Sequence, residues 1–404
     1  MPRYTKLNLT YQGKSTQDIG TVEKFTYTDE ACDNSDSISI VIDNIDNRWA
    51  NGWTPKLNDK IQAEIIKYDV NNKPAVLKCG SFVVDDFSIS GYPLTCSINA
   101  TIKPINASFN IQPKSKVWKD VTIRQIASEI TSTSGLRLLF ECTKEDKIKE
   151  LEQSNETDCS FLASLCNKYA LQMKVYSESV IIYDEEKYEE LAAVAKVTPS
   201  DCTDWNYNNS ILGTYTGAIF SYTDVKANKT YTVSVGTSER LLYINESASD
   251  NADAEKKALA RVNEANRNLI TMSLTLKEPR FIVATNSIEL IEFGGEINGK
   301  YFITKVEHEI SSNGYTVSLD MRKLIARIGK ATKEETKNSA GREYIIKSGE
   351  TLWSISKQFY GKGSEYKKIY EANKNIIEET AKKHGKRNSD NGNFIWGGTK
   401  IIIP

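Results

Sequence analysis

The run Leu94-Thr95-Cys96-Ser97-Ile98-Asn99-Ala100-Thr101-Ile102 switches between apolar and polar side chains at every step. A period of two places its apolar residues on one face of an extended strand, so this stretch requires a half-buried sheet rather than a helix. Ile38, Ile40 and Ile42 repeat the pattern less strictly, and it returns in Tyr231, Val233 and Val235. It is cleanest again in Ile270, Met272, Leu274 and Leu276, and in Tyr315, Val317, Leu319 and Met321. Among the early runs lie Asn51-Gly52, Asn58-Asp59, Asn71-Asn72-Lys73-Pro74 and Ser90-Gly91-Tyr92-Pro93, which are turn signals at the spacing of a small barrel or sandwich. Trp49 and Trp53 flank the first of them and read as rim residues closing a barrel end.

Between Val117 and Asp184 the period changes. Ile123, Ile126 and Ile130 recur at i, i+3 and i+7, one stripe of a short helix. A second helix starts at Thr157 or Asp158, either of which can cap its free N–H groups, with Phe161, Leu162, Leu165, Cys166 and Tyr169 as its stripe. Met173, Val175 and Tyr176, a polar turn at Ser177-Glu178-Ser179, and Val180-Ile181-Ile182-Tyr183 predict a strand pair that covers both stripes. The mixed-charge run Lys144 to Gln153 reads as a solvated helix face or loop. Glu185 to Asp204 shows little strand character, whereas Asp253 to Asn268 predicts a helix of about fifteen residues lying across a sheet. Arg327 to Arg342 has almost no large apolar residue and reads as a linker.

The predicted organisation is a first antiparallel β domain, a small barrel or sandwich, over 1–116, an α/β insertion over 117–185, a second β domain with one helix over 186–326, a linker over 327–342 and a final module over 343–404. The fold class is therefore mainly β with an α/β insertion, plus a small terminal module. A length of 404 residues leaves room for such cores. No apolar run approaches the ~20 residues of a membrane helix, and Met1-Pro2-Arg3-Tyr4-Thr5-Lys6-Leu7 lacks the apolar core of a signal peptide, which predicts assembly in a cytoplasm.

The net charge of −1 conceals an asymmetry: from Gly341 onward twelve Lys/Arg stand against seven Asp/Glu, a surplus of five that leaves −6 for the remainder. A basic tail suits nucleic acid, anionic lipid or an anionic cell-wall polymer, and charge alone does not choose. The seven cysteines are scattered without a Cys-x-x-Cys pair and read as reduced, buried small hydrophobes.

Catalytic signals are lacking. Gly294-Gly295-Glu296-Ile297-Asn298-Gly299-Lys300 has the glycine and lysine spacing of a phosphate-binding loop, but no Ser or Thr follows the lysine and Tyr301-Phe302-Ile303-Thr304 continues as a strand, so a hairpin turn is the better reading. The two histidines, His308 and His384, lack the partners of a zinc site or a Cys/His nucleophile pair. The sequence therefore predicts no catalytic residues, no metal ligands, no cofactor and no nucleic-acid readout.

Residues 344 to 404 resemble the LysM family. Tyr344-Ile345-Ile346-Lys347-Ser348-Gly349-Glu350-Thr351-Leu352-Trp353-Ser354-Ile355-Ser356 is similar to its strand, loop and first helix; Phe359-Tyr360-Gly361, Ile369 and Asn373 match the helical half, and Ile401-Ile402-Ile403-Pro404 the closing strand. Ser348 or Glu350 is expected to cap the helix, with Leu352 and Ile355 facing the core. The resemblance implies a βααβ domain whose two loops form a shallow groove for N-acetylglucosamine chains of peptidoglycan. Carried over, its walls are Gly349, Glu350, Thr351 and Leu352, with Ile395, Trp396 and Gly397 opposite. Glu350 replaces the family's usual aspartate, and Lys374 to Asn393 is longer and more basic than in short carbohydrate-binding members, so docking to another protein stands as a second use.

Nearly all of residues 1 to 325 resembles the phage late control D family of baseplate hub proteins. The resemblance rests on Thr122-Ile123-x-x-Ile126-Ala127-x-x-Ile130, Asn155-Glu156-Thr157-Asp158-x-x-Phe161-Leu162-x-x-Leu165, Tyr169 and Val180-Ile181-Ile182-Tyr183-Asp184. Phe302-Ile303-Thr304-Lys305-Val306-x-His308-x-Ile310, Gly314-Tyr315-Thr316 and Leu319-x-Met321-Arg322 extend it. It implies two similar antiparallel β-barrel-like domains per chain, over 1–116 and 186–326, in a homotrimer of pseudo-sixfold symmetry, joining the hexameric tail tube protein to the trimeric spike protein and contacting other baseplate components. The setting would be a phage tail, a phage-tail-like bacteriocin or a related contractile injection device. The alternative is a stand-alone cell-wall protein, anchored by LysM, with the β region as hydrolase or adhesin.

Overall fold

The computed structural model describes residues 4–15, 20–32, 35–102, 107–142, 147–176, 178–224, 229–329 and 342–403. The chain divides into two compact units, Met1–Ile328 and Gly329–Pro404.

The first unit begins with strands β1 (Tyr4–Tyr11), β2 (Lys14–Ser15), β3 (Val22–Glu30), β4 (Ser37–Asp43), β5 (Lys60–Tyr68), β6 (Pro74–Ser90) and β7 (Thr95–Thr101). The two isoleucine-rich alternations of the sequence are cross-strand partners, with Ile38 opposite Ala100, Ile40 opposite Ile98 and Ile42 opposite Cys96. All six are buried in one core with Phe25, Ile61, Ile65 and Phe82. Trp49 closes that core as expected: it is fully buried and meets Tyr11 and the half-buried Trp53 edge-on at 5.6 and 5.8 Å.

Next come α1 (Ala107–Asn110), β8 (Pro113–Thr122), α2 (Ile123–Thr133), β9 (Arg137–Glu141), β10 (Lys147–Thr157), α3 (Asp158–Lys168), β11 (Gln172–Tyr176) and β12 (Ser179–Tyr183). Thr122 caps α2 in a reciprocal box with Gln125, and Thr157 caps α3. Ile123, Ile126, Ile130, Phe161, Leu162 and Leu165 are buried under the three-stranded sheet β11-β12-β9, so the covering strand pair is confirmed. Ser177 lies outside the described residues.

The expectation of a loop or helix face for Lys144 to Gln153 is overturned from Lys147 onward, since β10 pairs antiparallel with β8. Ile148 and Gln153 are its buried residues and Leu151 is partly buried, while Lys149 and Glu150 face out, with Lys119 and Glu150 in register. A two-stranded ribbon buries so few side chains that its apolar signature shrank below recognition.

The chain continues through α4 (Glu185–Glu190), β13 (Ala195–Val197), β14 (Cys202–Asn209), β15 (Gly217–Asp224), β16 (Lys229–Gly236), β17 (Leu241–Asn245), α5 (Asn251–Asn266), β18 (Ile270–Leu276), β19 (Ser287–Leu290), β20 (Gly299–Ser311) and β21 (Gly314–Lys323). Glu185 to Asp204 thus carries more structure than its polarity suggested, because α4 turns its carboxylates inward onto arginines. Arg267 reaches Glu185 at 2.6 Å, Arg322 reaches Glu185 at 2.8 Å, and Arg327 reaches Glu189 at 2.8 Å. The glycine-rich stretch at 294–299 connects β19 to β20 as a hairpin.

A single 13-stranded sheet runs β14-β18-β21-β20-β3-β4-β7-β6-β5-β1-β2, with β13 and β19 attached beside β20. Its two halves come from opposite ends of the unit and are joined by the antiparallel pair β3–β20. The second half curls over its own core of Met272, Leu274, Leu276, Ile303, Val306, Val317, Leu319 and Met321, the residues of the two late alternations among them. The Tyr231-Val233-Val235 run instead belongs to a separate three-stranded sheet, β16-β15-β17, on which α5 lies through Ala254, Ala258 and Val262. In that sheet Gly217 and Gly236 are register partners, and a Cβ on either would stand 2.3 Å from a backbone oxygen.

The predicted linker starts too early. Arg327 is in the buried ion network, and Ile328 exchanges hydrogen bonds with the Asn263 side chain at 2.8 and 3.0 Å. Residues 330–341 lie outside the described residues.

The second unit contains β22 (Arg342–Ile345), α6 (Leu352–Tyr360), a 3₁₀ turn over Gly363–Glu365, α7 (Tyr366–Lys383) and β23 (Lys400–Ile403), with β22 and β23 antiparallel. Ile346, Leu352, Ile355, Ile369, Ile377, Ile401 and Ile403 form its core. The cap of α6 is Thr351, whose hydroxyl accepts from the Ser354 N–H at 3.1 Å, and not Ser348 or Glu350. Asn373 ties helix to closing strand: its side chain donates to the Ile402 carbonyl and accepts from the Ile402 N–H at 2.5 and 2.6 Å.

Candidate functional site

In the second unit, pairing of β22 with β23 brings the two loops predicted as groove walls side by side. The Ile346 N–H donates to the Thr399 carbonyl at 3.0 Å, and the Gly398 N–H donates to the Ile346 carbonyl at 2.7 Å. Gly397 lies so close to the first loop that an added Cβ would be 3.0 Å from the Ser348 nitrogen, a contact that the first loop could take only by giving way a few tenths of an ångström. Gly349 has φ +85, a left-handed turn conformation that glycine adopts without strain.

The expected wall residues do not all present side chains. Gly349 and Thr351 are exposed and Glu350 half-buried, but Leu352 is 1% exposed and belongs to the core, leaving only its backbone for a ligand. The Thr351 hydroxyl is already engaged as the helix cap. Glu350 accepts from the Lys347 N–H at 2.9 Å and from the Tyr344 hydroxyl at 2.7 and 2.9 Å. Those two donors, the backbone N–H first, hold its carboxyl below the usual carboxylate range. Glu350 thereby fixes the shape of the first loop, a role in which the longer side chain reaches its own strand.

On the opposite wall Ile395 and Trp396 are half-buried and Gly397 exposed. The Trp396 indole is stacked on the His384 imidazole, with ring centroids 4.8 Å apart and planes 6° from parallel. Sequence reasoning did not foresee that contact; the signal available was the length of the segment between α7 and β23. That segment is pinned at its base, where the Glu378 carboxylate accepts from the Ser389 N–H at 3.0 Å and from the Ser389 and Tyr370 hydroxyls. Just after α7, Lys386 sits over the ring of Phe394 at 4.9 Å.

Elsewhere, the chemistry-bearing groups have structural explanations. His308 is fully buried, bonded to the Tyr315 hydroxyl at 2.8 Å and the Ile282 carbonyl at 3.2 Å. Burial pushes the Cys96 thiol up to about 11 and Cys166 up to about 12, so neither is a thiolate at neutral pH. Among the described residues no group of three or more His, Cys, Asp or Glu is placed to hold a metal ion, and no helix is long and apolar enough to cross a membrane.

Residues 344–380 match the LysM domain family. Over 131 residues the chain is 28% identical to the uncharacterized protein YqbP of Bacillus subtilis strain 168, a match covering 32% of this chain and 58% of that protein. The chain thus spans little more than half the length of that relative. Among solved structures, a tail protein of prophage MuSo2 from Shewanella oneidensis superposes with a TM-score of 0.62 at 14% identity, over 79% of this chain and 98% of the other. The c3393 protein of E. coli, a type VI secretion component described as structurally similar to bacteriophage T4 tail proteins, gives 0.51 at 11% identity, over 80% and 79% of the two chains. At such identities the likeness is one of fold: the chain has the architecture of phage tail proteins and carries a LysM domain.

Proposed function

We propose that this chain is a non-enzymatic structural hub subunit of a contractile phage tail or phage-tail-like bacteriocin, a homotrimer that adapts the hexameric tube to the trimeric spike. The observation that carries the reading is the shared tail-protein fold, with two β cores in one chain joined through β3–β20. Two barrel-like lobes per chain give six around a threefold axis, which is what a three-to-six adaptor needs. Exposed edges support it: β14 ends the large sheet, Trp205 on it is 41% exposed, and Ile211 and Leu212 just beyond are 62% and 89% exposed. The LysM domain would then contact peptidoglycan of the host wall, with docking to an internal tail component as the competing use.

Light scattering across a concentration series, together with imaging of purified particles, tests the assembly. A trimer, or the protein at the tail tip, is the expected result. A strict monomer at high concentration that is absent from particles would overturn the reading.

A further inference from the structure

The C-terminal turn of α7 and the loop after it carry Lys382, Lys383, Lys386 and Arg387, all exposed. Lys382 and Lys383 have an ordinary explanation in the negative end of the helix, and Lys383 also meets Glu379 at 2.8 Å. Lys386 and Arg387 lie beyond the helix, so neither reason applies to them. No ion pair joins either to an acidic residue among the described residues, and the nearby carboxylate of Glu378 faces inward to Ser389 and Tyr370. The cations are contiguous with the groove: His384 is stacked on the wall residue Trp396, Lys386 covers Phe394 two residues before it, and Gly397 abuts the opposite loop. Two exposed cations, Lys386 on the Phe394 ring and its neighbour Arg387, therefore stand on the segment that forms the Trp396 wall of the groove, an arrangement suited to a sugar chain bearing negative groups.

We propose that this ridge is a second binding surface of the LysM domain, taking the phosphodiester groups of a polyol-phosphate polymer attached to the glycan whose sugars occupy the groove. The proposal rests on the glycan reading of the groove given above. Charge complementarity and direct continuity with the sugar-facing wall favour such a polymer over nucleic acid, for which the groove would have no use.

The test is co-sedimentation of the full-length protein with Gram-positive cell-wall sacculi, either intact or stripped of phosphodiester-linked polymer by acid. Intact walls should bind roughly tenfold more tightly at low salt, with the difference fading as salt rises, as for a few phosphate contacts. Lys386→Ala with Arg387→Ala should lose that increment and leave binding to stripped walls unchanged. Equal binding to both preparations overturns the ridge while leaving the groove reading intact. Binding to intact walls alone supports the ridge and removes the groove, and binding to neither removes both. Competition by single-stranded DNA as effective as by soluble polyol-phosphate at equal charge would reduce the ridge to an unspecific polyanion surface and overturn the proposal.

Discussion

His308 of β20 is stacked on Tyr27 of β3, its register partner, with ring centroids 5.8 Å apart and planes 9° from parallel. The pair sits on the seam where the two halves of the large sheet meet, and its burial holds the imidazole down to about 4. An imidazole whose folded value lies below its unfolded ~6.5 contributes stability above that value and loses it as pH falls toward 4, a range of about 3 kcal/mol. The first unit should therefore melt progressively lower between those pH values. Asp36, which burial pushes up to about 6, acts with the opposite sign over part of the window. The check is the difference between wild type and His308→Gln in thermal melts across pH: the variant should be less stable at neutral pH but have a flatter acid limb. An unchanged slope would show that His308 does not set it.

Lys174 of β11 anchors the α/β layer to the large sheet. Its ammonium meets Asp29 at 2.7 Å, Asp36 at 2.9 Å and the Glu30 carbonyl at 2.6 Å, and it is 13% exposed. Burial alone would lower the lysine value, but the two carboxylates outweigh it and the net shift is upward. Lys174→Met should cost roughly 3–5 kcal/mol, because two buried carboxylates lose their counter-charge. Adding Asp36→Asn should recover part of the loss, measured by denaturant unfolding of the double-mutant cycle.

Asn373 predicts a different kind of sensitivity, confined to the LysM domain. Replacing it with Leu would leave both backbone groups of Ile402 unpaired, at a cost of about 3 kcal/mol. Amide exchange of β22 and β23 should quicken, and the first unit should melt as before.

Thr351→Ala should lower LysM stability by about 1 kcal/mol through loss of the α6 cap. Any loss of wall binding by this variant must therefore be compared with Trp396→Ala, which removes a groove aromatic without touching the cap. If the groove holds sugar, Trp396→Ala weakens sedimentation with stripped sacculi at temperatures where both variants are folded, and Thr351→Ala does so much less.

Local pattern carried a good deal of this architecture. The alternations at Ile38–Ile42 and Leu94–Ile102 specified not only strands but a shared face, since period two leaves one choice of which side is buried. The stripes Ile123-Ile126-Ile130 and Phe161-Leu162-Leu165 did the same for α2 and α3. Where the signal failed, burial was partial or electrostatic: β10 hides only a few apolar residues, and α4 is a run of charge because its partners are arginines.

By itself the sequence determined the alternating strands at Ile38–Ile42, Leu94–Ile102, Ile270–Leu276 and Tyr315–Met321, the helices α2, α3 and α5 with their buried faces, and the terminal LysM domain, because each is written in a few consecutive residues through the period of its apolar side chains. Only the tertiary structure decided that β3 pairs with β20, that Arg327 belongs to the first unit, that Thr351 rather than Glu350 caps α6, and that His384 lies on Trp396. Those outcomes depend on which of several competing partners is most favourable once the whole chain is packed, and the period of the apolar side chains does not record that.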